Sequence, residues 1–138
     1  MNSIEIREYT DMDMKAILSL YNSVGWLNYT NNPSMLEAAC RNSLKILAAW
    51  NDDKLIGIIR AVGDGVSIVY IQDIIVLPEY QRMGVGGRLV NEIDMLFPNV
   101  YQKVLLTDNQ TNSLGFYQRC GFSLSDNYKC VAFVKFTP

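Results

Sequence analysis

The run over residues 68–106 constrains the architecture more than any other part of the chain. Residues 68–77 are β-branched and largely apolar, the composition of a strand buried on both faces. Pro78 has no N–H to give to a ladder, so the strand stops there. From Arg88 onward, Leu89, Val90, Ile93, Leu96 and Phe97 recur at helical spacing with polar residues opposite. Pro98-Asn99 breaks that helix, and residues 100–106 form a second apolar strand. A strand, a helix and a strand in this order make a right-handed crossover whose two strands are parallel.

Between the first strand and the helix lies Gln81-Arg82-Met83-Gly84-Val85-Gly86-Gly87. The first backbone N–H groups of a helix have no intrahelical acceptor and carry partial positive charge, so they can seat a phosphate. Gly84, Gly86 and Gly87 keep side chains out of the way, and Arg82 and Arg88 add positive charge. The segment reads as a pyrophosphate cradle. A dinucleotide-binding unit is the competing reading, with Asp108 lying roughly 20 residues past the glycines, where a ribose-binding acid is expected. Against it, Leu89 stands where the third glycine should be, and the tail beyond Asp108 is too short for the second half of a doubly wound sheet. A mononucleotide P-loop fails because no Gly-Lys-Ser/Thr follows.

Gln81, Gly84 and Gly86 match the Gln/Arg-x-x-Gly-x-Gly/Ala signature of the GCN5-related N-acetyltransferases (GNAT), and Phe116-Tyr117-Gln118-Arg119-Cys120-Gly121-Phe122 is similar to that family's C-terminal Phe-Tyr-x-x-x-Gly-Phe. The resemblance implies an α+β fold: a mixed, mostly antiparallel sheet with one parallel βαβ crossover, in a single N-acetyltransferase domain over residues 1–138. It implies acetyl-CoA as co-substrate, with the strands ending near Val76 and Leu106 splayed for the pantetheine arm. The cofactor-binding set it implies is Ile74, Ile75, Val76, Arg82, Met83, Gly84, Val85, Gly86, Gly87, Asn109, Gln110 and Tyr117. Tyr117 is implied as the general acid that meets the leaving thiolate. Many members carry an Asn seven residues before that tyrosine; here the position is Gln110 with Asn109 beside it, and either side chain can make the contact.

The rest of the chain fits one domain. Residues 4–9 alternate as a short strand, Thr10 or Asp11 caps a helix to about Asn22, and residues 25–33 read as a loop. Ser34 opens a second helix through about Asn42, with Glu37 completing a capping box. Residues 44–50 and 55–62 are strands that form an antiparallel meander with 68–77. Residues 112–119 are a short helix and 131–136 a last strand. Trp26 and Tyr29 either plug the edge of the core or form a lid over the substrate.

Composition removes several chemistries. With no histidine, the commonest metal ligand and general base are absent, and Cys40, Cys120 and Cys130 form neither a Cys-x-x-Cys pair nor an even set. No metal site is expected. A net charge of −2 supplies no surplus for nucleic-acid phosphates. There is no apolar run of membrane-spanning length and no leader pattern at the start, so the expected setting is the cytoplasm. The exposed edges of a mixed sheet and the apolar last strand point to a homodimer.

Acyl transfer to a primary amine needs a route for the amine's proton and a proton for the departing thiolate. Asp73, an acid within an otherwise apolar strand, is either the catalytic base or an ion-paired structural group. Cys120 beside the second motif allows an acyl-cysteine route, but with no histidine to activate it, direct transfer is better supported. The expected activity is therefore N-acetylation of a small-molecule or protein amine; the alternative is an acyl-CoA-binding sensor or scaffold of the same fold.

Overall fold

The computed structural model describes residues 3–137. They divide into two compact units, the first ending at Leu106 and the second beginning at Thr107. The first contains β1 (Ile4–Glu8), α1 (Met14–Ser23), α2 (Leu27–Thr30), α3 (Pro33–Arg41), β2 (Lys45–Asn51), β3 (Lys54–Gly63), β4 (Ile68–Val76), a 3-10 turn (Pro78–Tyr80), α4 (Val85–Leu96) and β5 (Gln102–Leu105). The five strands form one sheet in the order β1-β2-β3-β4-β5. The β1–β2, β2–β3 and β3–β4 pairs are antiparallel and β4–β5 is parallel, which is the expected mixed α+β sheet with one crossover.

Both faces of this sheet are covered, which explains why β3 is buried along almost its whole length and reads as an unbroken apolar run. On one face Ile46, Ala48, Ile58 and Ile75 pack with Ile17, Leu20, Tyr21, Leu36 and Cys40 of α1 and α3. On the other, α4 lays down Val85, Leu89, Val90 and Ile93. Close approach of α4 depends on small residues: a Cβ on Gly57 would sit 3.2 Å from the Ile75 carbonyl oxygen and 3.4 Å from a Leu89 methyl.

Several element ends differ from the sequence expectation, each for a local reason. Asp13, not Thr10 or Asp11, caps α1, because its Oδ1 accepts from the backbone N–H groups of Lys15 (3.0 Å) and Ala16 (3.4 Å). Asn32, not Ser34, caps α3, accepting from the Met35 amide at 3.3 Å with Pro33 in the first turn. Glu37, expected to close a capping box, instead pairs with Arg41 at 2.7 Å. The expected loop over 25–33 contains the one-turn helix α2. The expected helix at Arg88 starts earlier, at Val85, because Gly84 at φ 80 turns the chain directly into it.

The second unit contains α5 (Thr111–Arg119) and a 3-10 turn (Ser125–Tyr128). Residues 131–136, expected as a last strand, are not in a strand. Residues 131–136 are apolar apart from Lys135, a composition that can join a sheet, but a strand exists only beside a partner, and among the described residues no ladder includes them.

Candidate active site

The sheet opens at β4. This strand is paired with β3 as far as Val76, opposite Gly57, but with β5 only as far as Ile71, opposite Leu105. Residues 72–76 therefore have an edge with no strand beside it. The Leu77 amide donates to the Ile56 carbonyl at 2.8 Å, so by the two-residue period of a strand the backbone groups of Ile74 and Val76 face the open edge while those of Ile75 face β3. The Val76 carbonyl already accepts from the Gln81 side chain at 3.0 Å, tying the glycine loop to the end of the strand.

That loop presents unsatisfied donors. Gly84 is the N-cap of α4 and offers no side chain to cap it. Among the described residues, the amides of residues 82–87 have no backbone acceptor. Arg82 at φ 65 and Gly84 at φ 80 are both in the left-handed region, which costs a non-glycine residue about 1 kcal/mol or more and curves the amides into a concavity. A Cβ at Gly87 would meet nothing within 4 Å and its φ is ordinary. The fold supplies no reason for glycine there, in a helix where alanine is preferred. Space reserved for an anion's approach does supply one, so the residues present fit the diphosphate of coenzyme A.

Next to the opening lies a buried polar cluster. Asp73 and Arg60 are cross-strand partners, and their side chains are 3% and 5% exposed. Arg60 Nε and Nη2 each lie 2.9 Å from Asp73 Oδ2, and the Tyr21 hydroxyl donates to the same oxygen at 2.8 Å. Oδ1 accepts from the Tyr29 hydroxyl at 3.3 Å. The Tyr29 oxygen in turn accepts from Arg60 Nη2 at 3.3 Å and from Gln72 Nε2 at 3.5 Å. Gln72 is exposed, one residue past the last β4–β5 pair, so Tyr29 bridges the buried carboxylate to the mouth of the opening. Burial, then the Asp73 charge, pushes both phenols upward, so they remain donors. Burial pulls the Arg60 guanidinium down, but the Asp73 charge, together with Tyr21 and the hydrogen bonds to both, raises it on balance.

Asp73 is thus ion-paired. Trp26 and Tyr29 pack edge-on against Tyr21, at centroid distances of 5.9 and 5.0 Å, so both serve the core. Sequence reasoning overlooked Arg60, Tyr21 and Gln72. The signal was present for Arg60: it is a lone cation in an apolar strand, as Asp73 is a lone anion in the next.

In the second unit, Asn109 and Gln110 are exposed just before α5, and Asp108, the ribose-binding candidate of the competing reading, accepts from the Gln110 amide at 2.9 Å as a helix-entry turn. Tyr117 packs edge-on against Phe116 at 4.9 Å and Phe122 at 6.3 Å. Burial, helped by Cys120 and Asp108, pushes its phenol up to about 12, so it is protonated at neutral pH. Burial also pushes the Cys120 thiol up, which works against an acyl-cysteine route.

A mixed sheet that parts beside an uncapped glycine-rich helix start defines the acyl-CoA N-acyltransferase class. The family model described as Acetyltransferase (GNAT) family matches residues 12–122, and the chain belongs to this family. It is 38% identical to a GNAT family acetyltransferase of Streptococcus pneumoniae, with a TM-score of 0.89 over 98% of each chain. An uncharacterized ycf52-like N-acetyltransferase of Prochlorococcus marinus is 30% identical, the match covering 88% of this chain and 69% of that protein. An N-acetyltransferase of Thermoplasma acidophilum solved with coenzyme A shares the fold at 20% identity, with a TM-score of 0.74 over 90% of this chain and 92% of that one. The protein is an acetyl-CoA-dependent N-acetyltransferase. Among the described residues, no helix is long and apolar enough to cross a membrane, and no group of His, Cys, Asp and Glu is placed to hold a metal.

Proposed function

We propose that the acceptor is a primary amine that enters beside Tyr29 and Gln72, and that its proton leaves through the Tyr29 hydroxyl toward Asp73. The observation that carries this reading is the Tyr29 hydroxyl itself, half-buried, donating to Asp73 Oδ1 while it accepts from the exposed Gln72. Oδ2 of Asp73 is held by the buried Arg60 and Tyr21, and Oδ1 by the half-buried Tyr29, so Tyr29 is the donor of this set that reaches the mouth of the opening. In this scheme Tyr29 takes the amine's proton as it passes its own to Oδ1, and Arg60 keeps the carboxylate fixed.

Bound acetyl-CoA supplies the activated thioester. The amides of Arg82, Met83, Gly84, Val85, Gly86 and Gly87 hold its diphosphate, the backbones of Ile74 and Val76, with Ile75 between them, line its pantetheine arm, and Asn109 or Gln110 adds a polar contact. Tyr117, by its match to the family tyrosine, gives its proton to the departing sulfur. A phenol pushed up to about 12 hydrogen-bonds that sulfur readily and surrenders its proton only as negative charge builds there. The protein acts as a cytoplasmic homodimer on this reading.

The test is thiol release from acetyl-CoA against a panel of small amines and lysine peptides, using wild type, Asp73→Asn and Tyr29→Phe. The expected result is amine-dependent release, with both variants depressed at least tenfold in kcat and their pH–rate profiles displaced. An unshifted profile in Asp73→Asn removes Asp73 from the proton path. Coenzyme A binding with no release for any amine would support the sensor instead.

A further inference from the structure

We propose that Asn51, at the tip of the β2–β3 hairpin, is a positioning residue for the diphosphate of acetyl-CoA, acting through the Tyr80 hydroxyl on the entry to the glycine loop. This role rests on the reading of residues 82–87 as the diphosphate cradle and names what holds those amides in place.

The loop cannot hold itself. Among the described residues, the amides of residues 82–87 have no backbone acceptor. Arg82 at φ 65 stands two residues before Gly84 at φ 80, and a non-glycine residue keeps such a conformation only where its surroundings impose it. On the C-terminal side the loop is anchored by α4, whose Val85 and Leu89 are buried. On the N-terminal side Gln81 Nε2 bonds to the Val76 carbonyl at 3.0 Å, and the chain arrives through a 3-10 turn of three residues. A turn so short, with its poor hydrogen-bond geometry, fixes little by itself.

The β2–β3 hairpin braces that turn. Ala49 lies against Gly57 on the α4 face, so Trp50 faces α1 and α3, and Asn51 faces the α4 side again. From there Asn51 Nδ2 donates to the Tyr80 hydroxyl at 2.8 Å. Lys54, the strand partner of Asn51, places its Nζ 5.6 Å from the centre of the Tyr80 ring and 3.9 Å from Glu79 Oε1. Asn51 Oδ1 is shielded from water and, among the described residues, has no hydrogen-bond partner. An orphaned acceptor is a cost that an apolar side chain would avoid. The hairpin does not require an amide here, since Asn51 and Lys54 are paired as strand residues. The reach to Tyr80 supplies a reason for it. Donors aligned before the cofactor arrives spare it the cost of ordering them, so a loosened turn weakens binding without unfolding the chain.

Calorimetry with coenzyme A on the full chain tests this, using wild type, Tyr80→Phe, Asn51→Leu and the double variant. Tyr80→Phe keeps the ring beside Lys54 and removes only the hydroxyl. Each single variant should weaken binding about fivefold. The double variant should be no weaker than either single, because all three lose the same bond. The urea midpoint of Asn51→Leu should match or exceed that of wild type, since the orphaned oxygen goes with the bond. Pantetheine, which lacks the diphosphate, should show the same affinity for all four proteins in an NMR shift titration. Variants that bind coenzyme A as tightly as wild type overturn the role of Asn51 and leave the cradle standing. An equal loss for pantetheine overturns it too, because the bond then supports the strand end as a whole. A wild type that binds coenzyme A no more tightly than pantetheine overturns the cradle itself.

Discussion

Replacing Asp73 with asparagine removes one charge from a site that water hardly reaches. The Asp73 and Arg60 side chains are 3% and 5% exposed and approach to 2.9 Å. At an effective dielectric of about 20, two unit charges at this separation attract by about 6 kcal/mol. In the wild type, most of that gain is offset by taking both ions out of water, so the intact pair adds little to stability. The variant loses the attraction, but the Arg60 guanidinium remains buried, and its new amide N–H₂ confronts Arg60 or Tyr21 donors where an oxygen stood. The expected cost is about 3–5 kcal/mol. For a domain of this size that corresponds to a fall of roughly 10–20 °C in Tm. Urea denaturation followed by circular dichroism measures it, with Arg60→Met plus Asp73→Leu as the partner experiment. The double variant removes both charges and should recover at least half of the loss, even with Tyr21 left without an acceptor. A single-variant cost below about 1 kcal/mol, or a double variant no better than the single, would refute the claim that this pair is closed off from solvent.

Three further outcomes follow from particular residues. Gly87→Ala should leave stability unchanged or raise it by about 0.5–1 kcal/mol, because helix interiors prefer alanine and the Cβ meets nothing; calorimetry with coenzyme A should nonetheless show binding weakened at least tenfold, and unchanged affinity would remove the cradle from that position. Tyr117→Phe should depress kcat at least tenfold with KM for acetyl-CoA nearly unchanged, and in the wild type no alkaline loss of rate below about pH 11 should trace to this phenol. Asp64 accepts from the Ser67 hydroxyl and from the amides of Val66, Ser67 and Ile68, the hydroxyl foremost, which holds its carboxyl well below the ordinary 3.8. A carboxyl depressed on folding stabilises above its unfolded value and loses that contribution as pH falls below it. The gap in urea midpoint between wild type and Asp64→Ala should therefore be full at pH 6 and shrink progressively as pH falls below about 4; a gap constant from pH 6 to pH 2 would contradict the turn's hydrogen bonding.

The sequence by itself determined the strand–helix–strand unit, the mixed sheet and the glycine-rich helix start. These depend on local rules: β-branched runs make strands, Pro78 ends one, and consecutive glycines at a helix start expose amides. It did not locate the helix caps, because Asp11 and Asp13, or Asn32 and Ser34, are chemically alike and only the path of the neighbouring chain selects between them. Nor did it show Arg60 lying opposite Asp73, since that juxtaposition arises from the β3–β4 register, which a bulge shifts between Arg60 and Ala61. Tertiary structure alone decided that β5 leaves β4 after Ile71, opening the sheet beside Tyr29 and Gln72, and that residues 131–136 join no ladder among the described residues. Periodicity records which side chains can face a neighbour; pairing depends on where that neighbour's backbone runs, and the pattern along one strand contains no information about it.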